Sequence, residues 1–306
     1  MRLELGKFLI PNSSLDEMPN GIVIIDKPSG WTSMDVCAKL RGILREKRVG
    51  HGGTLDPMAT GVLPVFVGQA TRAVEFAENS RKEYVAGLRL GQVTNTQDVS
   101  GEILETHPVA ASPADVQAAL ARFLGDIQQI PPMYSAIKVG GKKLYELARK
   151  GQEVERQPRA VTIHSLTLEE QTGPADYTLR VRCSKGTYVR TLCHDIGRAL
   201  GCGGCMSGLR RTMAAGFKLE DALPLEQVLQ AEGPASLLLG VDAYFADRPV
   251  LILKPPAEKK VRNGMSLFLP ETPDGEYRVY GAEGTFLALS RMERGRLTTI
   301  KSFFPV

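Results

Sequence analysis

The stretch GHGGTLDPMATGVL, residues 50–63, places a single carboxylate, Asp56, inside a glycine-rich loop that runs into an apolar segment. Glycines let a backbone approach a ligand closely and adopt positive φ. Pro57 fixes the chain directly after the acid and favours extended geometry at Asp56. A carboxylate held this rigidly at the edge of a strand is a candidate for chemistry. Glycine, aspartate and proline are also ordinary turn residues, so the loop alone is equally consistent with a simple turn.

The segments around this loop predict a sheet. Residues 21–25 form a continuous apolar run that is typical of a buried strand, and residues 62–67 form a second one. Between them, Ser33 is expected to cap a helix whose apolar residues fall at helical spacing. Residues 82–90 alternate between apolar and other side chains, which predicts a strand with Tyr84 on its buried face.

The same mixture of elements continues along the chain. Residues 113–124 predict a helix that is capped by Ser112 and closed by Gly125. Residues 177–183 alternate as in a strand, and Thr187 is expected to cap the helix that follows. Because helices are mixed with alternating strands, the expected fold class is α+β with a largely antiparallel mixed sheet.

Two regions depart from this pattern. Residues 126–160 are rich in prolines, glycines, aromatics and basic residues, which indicates a functional insertion with its own short helix. From residue 248 onward, short strand-like runs alternate with turns such as Asn263-Gly264, which predicts a small β-barrel or sandwich. The length of 306 residues also favours two domains, which we expect to cover residues 1–247 and 248–306.

The composition is that of a globular protein with a mild excess of positive charge. Hydrophobic residues make up 43%, charged residues 24%, and the formal net charge is +4. We expect no membrane span, no signal peptide within residues 1–20, and a reducing cytoplasm for the five irregularly spaced cysteines. Basic residues form three clusters that could follow a phosphate backbone or simply be solvated helix faces. The first, middle and last basic clusters are Lys39, Arg41, Arg45, Lys47 and Arg48; Lys142, Lys143, Arg149 and Lys150; and Lys254, Lys259, Lys260 and Arg262.

Four other side chains are candidates for chemistry or binding. Arg190 falls in the first turn of a helix, where the helix dipole disfavours a cation unless an anion such as Asp56 or an RNA phosphate is near. A guanidinium beside Asp56 would keep that carboxylate ionised, as a nucleophile requires. Tyr84 and Tyr188 could stack on a base and handle a proton, although a half-buried strand tyrosine is commonly structural. His51 could be a base, a stacking wedge or a hydrogen-bonding group of the loop.

The motif Cys202-Gly203-Gly204-Cys205 raises the question of a zinc site. Cys193 and His194 are adjacent on a predicted helix and point apart, and Cys183 lies on a strand. Because structural zinc sites typically use two compact ligand pairs, small buried thiols are the favoured interpretation. The chain carries no phosphate-binding loop and no dinucleotide fingerprint, so we expect neither a metal nor a cofactor.

Several of these segments occur together, in this order, in one family. The chain resembles the bacterial tRNA pseudouridine synthases of the TruB family, which act on the T-loop uridine at tRNA position 55. The resemblance runs from about residue 20 to about residue 225 and is weaker in the tail, which looks like a PUA domain, an RNA-binding module. It is carried by residues 21–28, the loop at 50–63, Lys82-Glu83-Tyr84, the segments 130–136 and 142–145, residues 183–190, and Leu209-Arg210-Arg211.

The resemblance implies roles for particular residues. Asp56 matches the catalytic aspartate, and Arg190 matches the arginine that pairs with it. Tyr84 matches the tyrosine that stacks on the target base, and His51 matches the histidine that contacts the flipped nucleotide. The substrate-binding residues implied in this way are His51, Tyr84, Tyr188, Arg190 and Leu209, the last lining the base pocket with Tyr188. The resemblance further implies that the partner is tRNA and that the insertion binds its T-arm. It also implies a cytoplasmic monomer that needs no cofactor.

Two other functions stay open at this point. One carboxylate beside a sugar could release the base, as in a nucleoside or glycoside hydrolase. A chain with several basic clusters could also bind and fold tRNA without catalysis. Free uracil after incubation with T-arm RNA would indicate the hydrolase, whereas an unchanged mass with a carbodiimide-reactive base would indicate isomerisation. Whether the carboxylate attacks the sugar or the ring is equally open.

Overall fold

The computed structural model describes residues 18–304. The strands are β1 (Gly21–Lys27), β2 (Val49–His51), β3 (Thr60–Val67), β4 (Lys82–Leu90), β5 (Gln92–Thr94), β6 (Ile103–Thr106), β7 (Gly125–Gln129), β8 (Lys138–Val139), β9 (Lys142–Lys143), β10 (Arg159–Gln171), β11 (Asp176–Cys183), β12 (Gly204–Ala214), β13 (Phe217–Lys218), β14 (Leu223–Pro224), β15 (Val250–Ile252), β16 (Leu267–Phe268), β17 (Gly275–Tyr280), β18 (Phe286–Glu293) and β19 (Arg296–Ser302). The helices are α1 (Ser33–Leu44), α2 (Val74–Glu78), α3 (Pro113–Leu120), α4 (Leu144–Ala148), α5 (Val189–Ala199), α6 (Leu225–Leu229) and α7 (Pro255–Arg262).

The main sheet of this described region has ten strands, in the order β14-β1-β3-β12-β4-β11-β10-β7, with β2 and β13 paired to β3 and β12. Its neighbours are antiparallel except for the pairs β1–β14 and β3–β12. The predicted α+β class with a largely antiparallel mixed sheet is therefore confirmed. One face of the sheet carries the main core, to which α1, α3, α5 and α6 contribute. The strand predicted over residues 21–25 is apolar throughout because its alternate side chains enter cores on opposite faces.

The start of α1 differs from the expectation. Thr32, not Ser33, is the N-cap: its hydroxyl accepts the Asp35 amide at 3.0 Å, and the Asp35 carboxylate accepts the Thr32 amide at 2.9 Å. Ser33 is the first helical residue, and its hydroxyl instead accepts the amide of Leu55 at 2.8 Å. The helix is thus tied at its first turn to the loop that holds the candidate carboxylate.

The start of α5 also differs from the expectation. Tyr188 occupies the N-cap position without a side-chain capping bond. Thr187, the predicted cap, donates its hydroxyl to the carbonyl of Ser184 at 3.0 Å and so closes the preceding turn. The amide of Tyr188 itself donates to the side chain of Gln129 at 3.0 Å.

The predicted insertion over residues 126–160 is shorter in the structure. Its two ends lie in β7 and β10, which pair in the main sheet from Gly125 to Gln129, so the segment outside the sheet covers residues 130–158. Gly125 was expected to close α3, but it begins β7 at φ +84 after a short 3-10 turn. The segment contains the expected short helix, α4, and has a small core of its own formed by Met133, Leu144 and Leu147.

A strand that sequence patterns did not indicate, β12, lies between β3 and β4 in the sheet. Its sequence, GCMSGLRRTMA, does not alternate, because two register shifts against β4 interrupt the pleat. β12 approaches β3 closely at Gly61, where φ is +101 and a Cβ would lie 2.2 Å from the carbonyl oxygen of Arg211. Only glycine allows these two strands to meet there.

The C-terminal part forms a curled, five-stranded half-barrel in the order β15-β17-β18-β19-β16, as expected of a small β domain. Sequence patterns missed α7, which starts with a proline at its first position, and β19. Phe245 packs against Phe76, Phe286 and Phe303, with ring centroids at 5.5, 6.3 and 5.7 Å. The same core cluster contains Phe66 of β3, so the half-barrel shares it with the main sheet, and the domain boundary at residue 247 stays a prediction.

No helix within residues 18–304 is long and apolar enough to cross a membrane. The expectation about a signal peptide concerns residues of which 1–17 lie outside the described part of the chain.

Candidate active site

The loop that carries Asp56 connects β2 to β3, and each of its carbonyls from residue 53 to residue 57 accepts a hydrogen bond. The donors are Arg211 Nη2 to Gly53 (3.0 Å), Arg211 Nη1 to Thr54 (3.3 Å), Ser33 Oγ to Leu55 (3.2 Å), the Ala59 amide to Asp56 (3.0 Å) and the Gly30 amide to Pro57 (2.9 Å). The Asp56 side chain is 38% exposed. A backbone with little freedom thus presents a carboxylate to solvent.

A buried lysine at the end of β1 supports the same loop. Lys27 Nζ donates to the carbonyls of Pro28, Trp31 and Pro57 at 2.8, 2.7 and 3.3 Å. Burial lowers the pKa of Lys27 to about 8, and the nearby charge of Asp56 opposes this shift. Sequence analysis missed this residue, because a lysine that ends an apolar strand normally extends into solvent.

We expect the free energy of unfolding to rise more steeply with pH in the wild type than in Lys27→Met. The pKa of Lys27 is about 8 in the folded chain, against an ordinary value of 10.5. Between these values the unfolded chain binds more protons than the folded chain, so stability increases as the pH rises. Urea unfolding at about pH 8 and about pH 10 gives the change in the free energy of unfolding with pH for each protein. The other titratable groups are the same in both proteins, so the difference between the two slopes reports Lys27. Equal slopes in the two proteins would show that Lys27 is not buried as described.

Arg190 joins Asp56 to a second carboxylate, Asp98. Its Nε lies 3.0 Å from Asp56 Oδ2, and its Nη1 lies 3.6 Å from Asp98 Oδ2. The guanidinium also donates to the carbonyls of Thr96 and Tyr134 at 3.1 and 2.9 Å. Its side chain is only 6% exposed. The anionic partner expected for a cation in the first turn of α5 is therefore present, and two carboxylates offset the unfavourable helix dipole.

Sequence analysis did not select Asp98, which lies in the turn between β5 and β6. Its Oδ1 accepts the hydroxyl of Thr96 at 2.8 Å and the amide of Ser100 at 3.0 Å. The other carboxylate oxygen, Oδ2, faces Arg190. The spacing of Thr96, Asp98 and Ser100 is typical of a tight polar turn, but no local pattern indicates that this turn contacts a distant arginine.

Tyr84 and Leu209 lie on one face of two neighbouring strands. The register pairs Tyr84 on β4 with Arg211 on β12, and Ala86 with Leu209, so these four side chains form one patch. Tyr84 is buried, and burial raises the pKa of its hydroxyl, while the positive charge of Arg211 opposes the rise. The patch therefore combines a neutral phenol, an aliphatic side chain and a buried guanidinium.

Tyr188 is fixed through its backbone. The side-chain amide of Gln129 accepts the Tyr188 amide at 3.0 Å and donates to the Tyr188 carbonyl at 3.2 Å. Burial raises the pKa of the half-buried Tyr188 hydroxyl, and the nearby Ser135 hydroxyl and the positive charges of Arg159 and Arg190 oppose the rise. Gln129 is thus a further supporting residue that sequence analysis missed.

His51 ends β2 and turns back onto its own loop, where its Nδ1 accepts the amide of Gly53 at 3.4 Å. Burial lowers the pKa of His51, and the charge of Arg211 lowers it further. The lowered pKa favours the neutral imidazole, and with it a hydrogen-bonding or stacking group over a cation.

The basic clusters lie mostly on the surface. In the middle cluster, Lys143 Nζ and the Arg149 guanidinium each lie 5.4 Å from the centroid of the Tyr145 ring. The five cysteines are buried free thiols, and burial raises the pKa of Cys37 and Cys183 to about 11. Among residues 18–304, no group of three or more histidine, cysteine, aspartate or glutamate side chains is arranged to hold a metal.

Comparisons with known proteins agree on one family. Residues 41–189 match the N-terminal domain of the TruB family pseudouridylate synthases, and residues 190–240 match the C-terminal domain of tRNA pseudouridylate synthase B. The tRNA pseudouridine synthase B of Cupriavidus metallidurans is 44% identical over 289 residues, which are 91% of this chain and 92% of the relative. That of Alkaliphilus oremlandii is 47% identical over 249 residues, 81% of this chain and 83% of the relative.

Solved structures agree as well. A crystal structure of a Cbf5-Nop10-Gar1 complex matches with a TM-score of 0.72 and 27% identity, over 94% of this chain and 86% of the matched chain. An H/ACA RNP bound to a substrate RNA that contains 2'-deoxyuridine matches with a TM-score of 0.70 and 25% identity, over 94% of this chain and 86% of the matched chain. Family domains that cover most of the chain and close relatives along its length lead to one conclusion: the chain belongs to the TruB family of pseudouridylate synthases.

Proposed function

We propose that this protein is a tRNA pseudouridine synthase that isomerises the T-loop uridine at position 55, with Asp56 as the catalytic carboxylate. One observation carries the proposal: Asp56 is open to solvent, while Arg190 binds its carboxylate and the loop carbonyls on both sides of it are all bonded. The names of the relatives, tRNA pseudouridine synthase B, support tRNA as the substrate.

The chemistry explains why a single ionised carboxylate suffices. The bond between N1 of uracil and C1′ of the ribose breaks, the ring turns, and a bond between C5 and C1′ forms. The proton on C5 leaves and N1 gains one, so the composition of the nucleotide does not change and no electrons are exchanged with another molecule. A carboxylate can add covalently or stabilise positive charge on the sugar. In either case Arg190 holds the Asp56 carboxylate in a fixed orientation through the contact at 3.0 Å.

The patch formed by Tyr84 and Leu209 fits the task of receiving the extruded base. Taking a base out of its stack costs a few kcal/mol. Stacking on an aromatic ring such as Tyr84 recovers about 1–3 kcal/mol per base. Leu209 and the half-buried ring of Tyr188 would keep water from diverting the reaction toward hydrolysis. In this arrangement His51, neutral and fixed on its loop, would contact the flipped nucleotide.

The basic clusters supply the remaining contacts to RNA. We propose that residues 130–158 hold the T-arm, because this segment exposes the middle basic cluster and its own backbone contacts Arg190 through the Tyr134 carbonyl. We further propose that residues 248–306 act as a PUA-like RNA-binding domain, with the last basic cluster on α7. The protein would act as a monomer in the cytoplasm, where tRNA is modified.

We expect tRNA affinity to fall by about 10²-fold between about 50 and 200 mM salt, as for a protein that neutralises several phosphates. Replacing Lys142 and Lys143 by Gln should make the slope of log affinity against log salt shallower by about 1–2. Filter binding measures both slopes. Lys218→Gln, an exposed lysine outside the three basic clusters, is the matched control and should leave the slope unchanged. A salt-independent affinity would contradict the proposed RNA path.

Carbodiimide mapping tests the proposed reaction. A tRNA transcript is incubated with the purified protein, treated with carbodiimide, and analysed by primer extension. The proposal predicts a single stop at the T-loop position 55 and no free uracil. Release of uracil would support hydrolysis, and binding without any stop would support a non-catalytic tRNA-binding protein.

A further inference from the structure

A guanidinium lies beneath the loop without a carboxylate partner. Arg211 is 1% exposed, and its Nε donates to the carbonyl of Val62 at 2.7 Å. Its Nη2 and Nη1 donate to the carbonyls of Gly53 and Thr54 at 3.0 and 3.3 Å. Among residues 18–304, no Asp or Glu oxygen lies within 4.0 Å of this side chain. A buried cation without a carboxylate partner is expensive, even when main-chain carbonyls accept its hydrogen bonds.

The bonds of Arg211 connect two parts of the candidate site. Gly53 and Thr54 precede Asp56 in its loop, and Val62 belongs to β3, into which the loop continues. The side chain originates from β12, where its register partner across the sheet is Tyr84. One guanidinium thus fixes the loop on both sides of Asp56 relative to the strand pair that carries Tyr84.

We propose that Arg211 is a positioning residue of the isomerisation, which sets the distance between the Asp56 carboxylate and the Tyr84 ring. This inference rests on the proposed function, because that function gives Asp56 and Tyr84 a common substrate. A uridine stacked on Tyr84 must offer its reacting atoms to Asp56 within a few tenths of an ångström, and a misplacement of about 1 Å can cost about 10²-fold in rate.

The hydrogen-bonding geometry requires arginine. Three carbonyls on two chain segments accept from Nε and both Nη atoms, in the planar fork that only a guanidinium offers. A lysine keeps the charge but has one donor nitrogen at the end of a flexible chain. Arg211→Lys therefore separates the charge from the positioning, and Arg211→Gln removes the charge as well.

The test compares Arg211→Lys and Arg211→Gln with Arg180→Lys. Arg180 lies on β11 and binds Glu83 and Glu169 with its own guanidinium, so it reports the general effect of replacing a forked arginine in this sheet. Single-turnover pseudouridine formation and tRNA affinity are measured on protein whose folded fraction is known from thermal unfolding. We expect both Arg211 variants to lose about 10²-fold in rate, with an affinity within about threefold of the wild type. The Arg180 variant should retain its rate.

Folded Arg211→Lys that reacts at the wild-type rate would overturn the inference while leaving the proposed function intact. A wild type that makes no pseudouridine would instead remove the proposed function. A measurement on the wild type covers the case in which the variants do not fold. The Nε–H of Arg211, followed by NMR, should exchange slowly with water, because this group is buried and donates to the carbonyl of Val62. Rapid exchange would show that the guanidinium is not fixed against the loop, which also overturns the inference.

Discussion

Asp56→Asn is expected to lower the rate of pseudouridine formation by about 10⁴-fold or more, as the loss of a nucleophilic side chain does in other enzymes. The substitution keeps the size of the side chain and a hydrogen-bond acceptor for Arg190 but removes the negative charge. An amide neither adds covalently to the substrate at a useful rate nor stabilises positive charge on a sugar. Because Asp56 contacts few other groups, the affinity for tRNA should stay within about threefold.

Single-turnover kinetics with a tRNA transcript and an independent binding measurement separate these two effects. Asp176→Asn is the matched control, because Asp176 is also a partly exposed carboxylate in an arginine ion pair, 2.8 Å from Arg89. This control should react at nearly the wild-type rate. An Asp56→Asn protein that forms pseudouridine at more than about one hundredth of the wild-type rate would contradict the assignment.

Arg190→Lys is expected to lower the rate by about 10²–10³-fold, in the range seen when one preorganised hydrogen-bond donor is removed from an active site. The guanidinium holds Asp56 and Asp98 at 3.0 and 3.6 Å and binds two carbonyls besides. A single ammonium group cannot satisfy these four acceptors at once. Asp56 would lose its fixed direction, and the buried Asp98 would be left with a weaker partner. The variant should therefore also be less stable.

The effect on catalysis and the effect on folding can be distinguished. If Arg190 aligns Asp56, kcat falls at constant folded fraction while KM changes little. Asp98→Asn should lose activity in the same direction but less, because Asp98 acts through Arg190 and touches no substrate in the proposed site. The Arg180→Lys protein again serves as the control for loss of a forked ion pair. A folded Arg190→Lys protein with full kcat would rule out the alignment role.

A physical argument from the sequence predicted an anionic partner for Arg190, with Asp56 or an RNA phosphate as the candidates, and the family resemblance pointed to Asp56. A cation in the first turn of a helix needs an anion, and the chain offers one conspicuous acid in a glycine-rich loop. The strands β1, β3, β4 and β11 were equally accessible, because each has either a continuous apolar run or strict alternation. These patterns depend only on residues that are neighbours in sequence, so they can be recognised without knowledge of the fold.

The residues that support the site were not accessible in this way. Each of them has at least one partner far away in the chain that its neighbours in sequence do not reveal: Lys27 with Pro57, Asp98 with Arg190, Gln129 with Tyr188, and Arg211 with Gly53. Arg211 also lies on β12, a strand whose register shifts hide its alternation. The misassigned cap Ser33 has the same origin, because its hydroxyl binds the distant Leu55 while the neighbouring Thr32 caps α1. Thr187 differs, because its hydroxyl binds the carbonyl of Ser184 three residues earlier and α5 has no side-chain cap.

Release of tritium from tRNA labelled at C5 of its uridines tests the central claim most directly. Isomerisation replaces the C5–hydrogen bond with the bond to C1′, so tritium passes into water, whereas hydrolysis or binding leaves it on the base. We predict tritium release stoichiometric with tRNA for the wild type, and none for a transcript that has cytidine at position 55. Undiminished release from the transcript with cytidine at position 55, or no release from the transcript with uridine there, would contradict the claim that this protein isomerises a T-loop uridine.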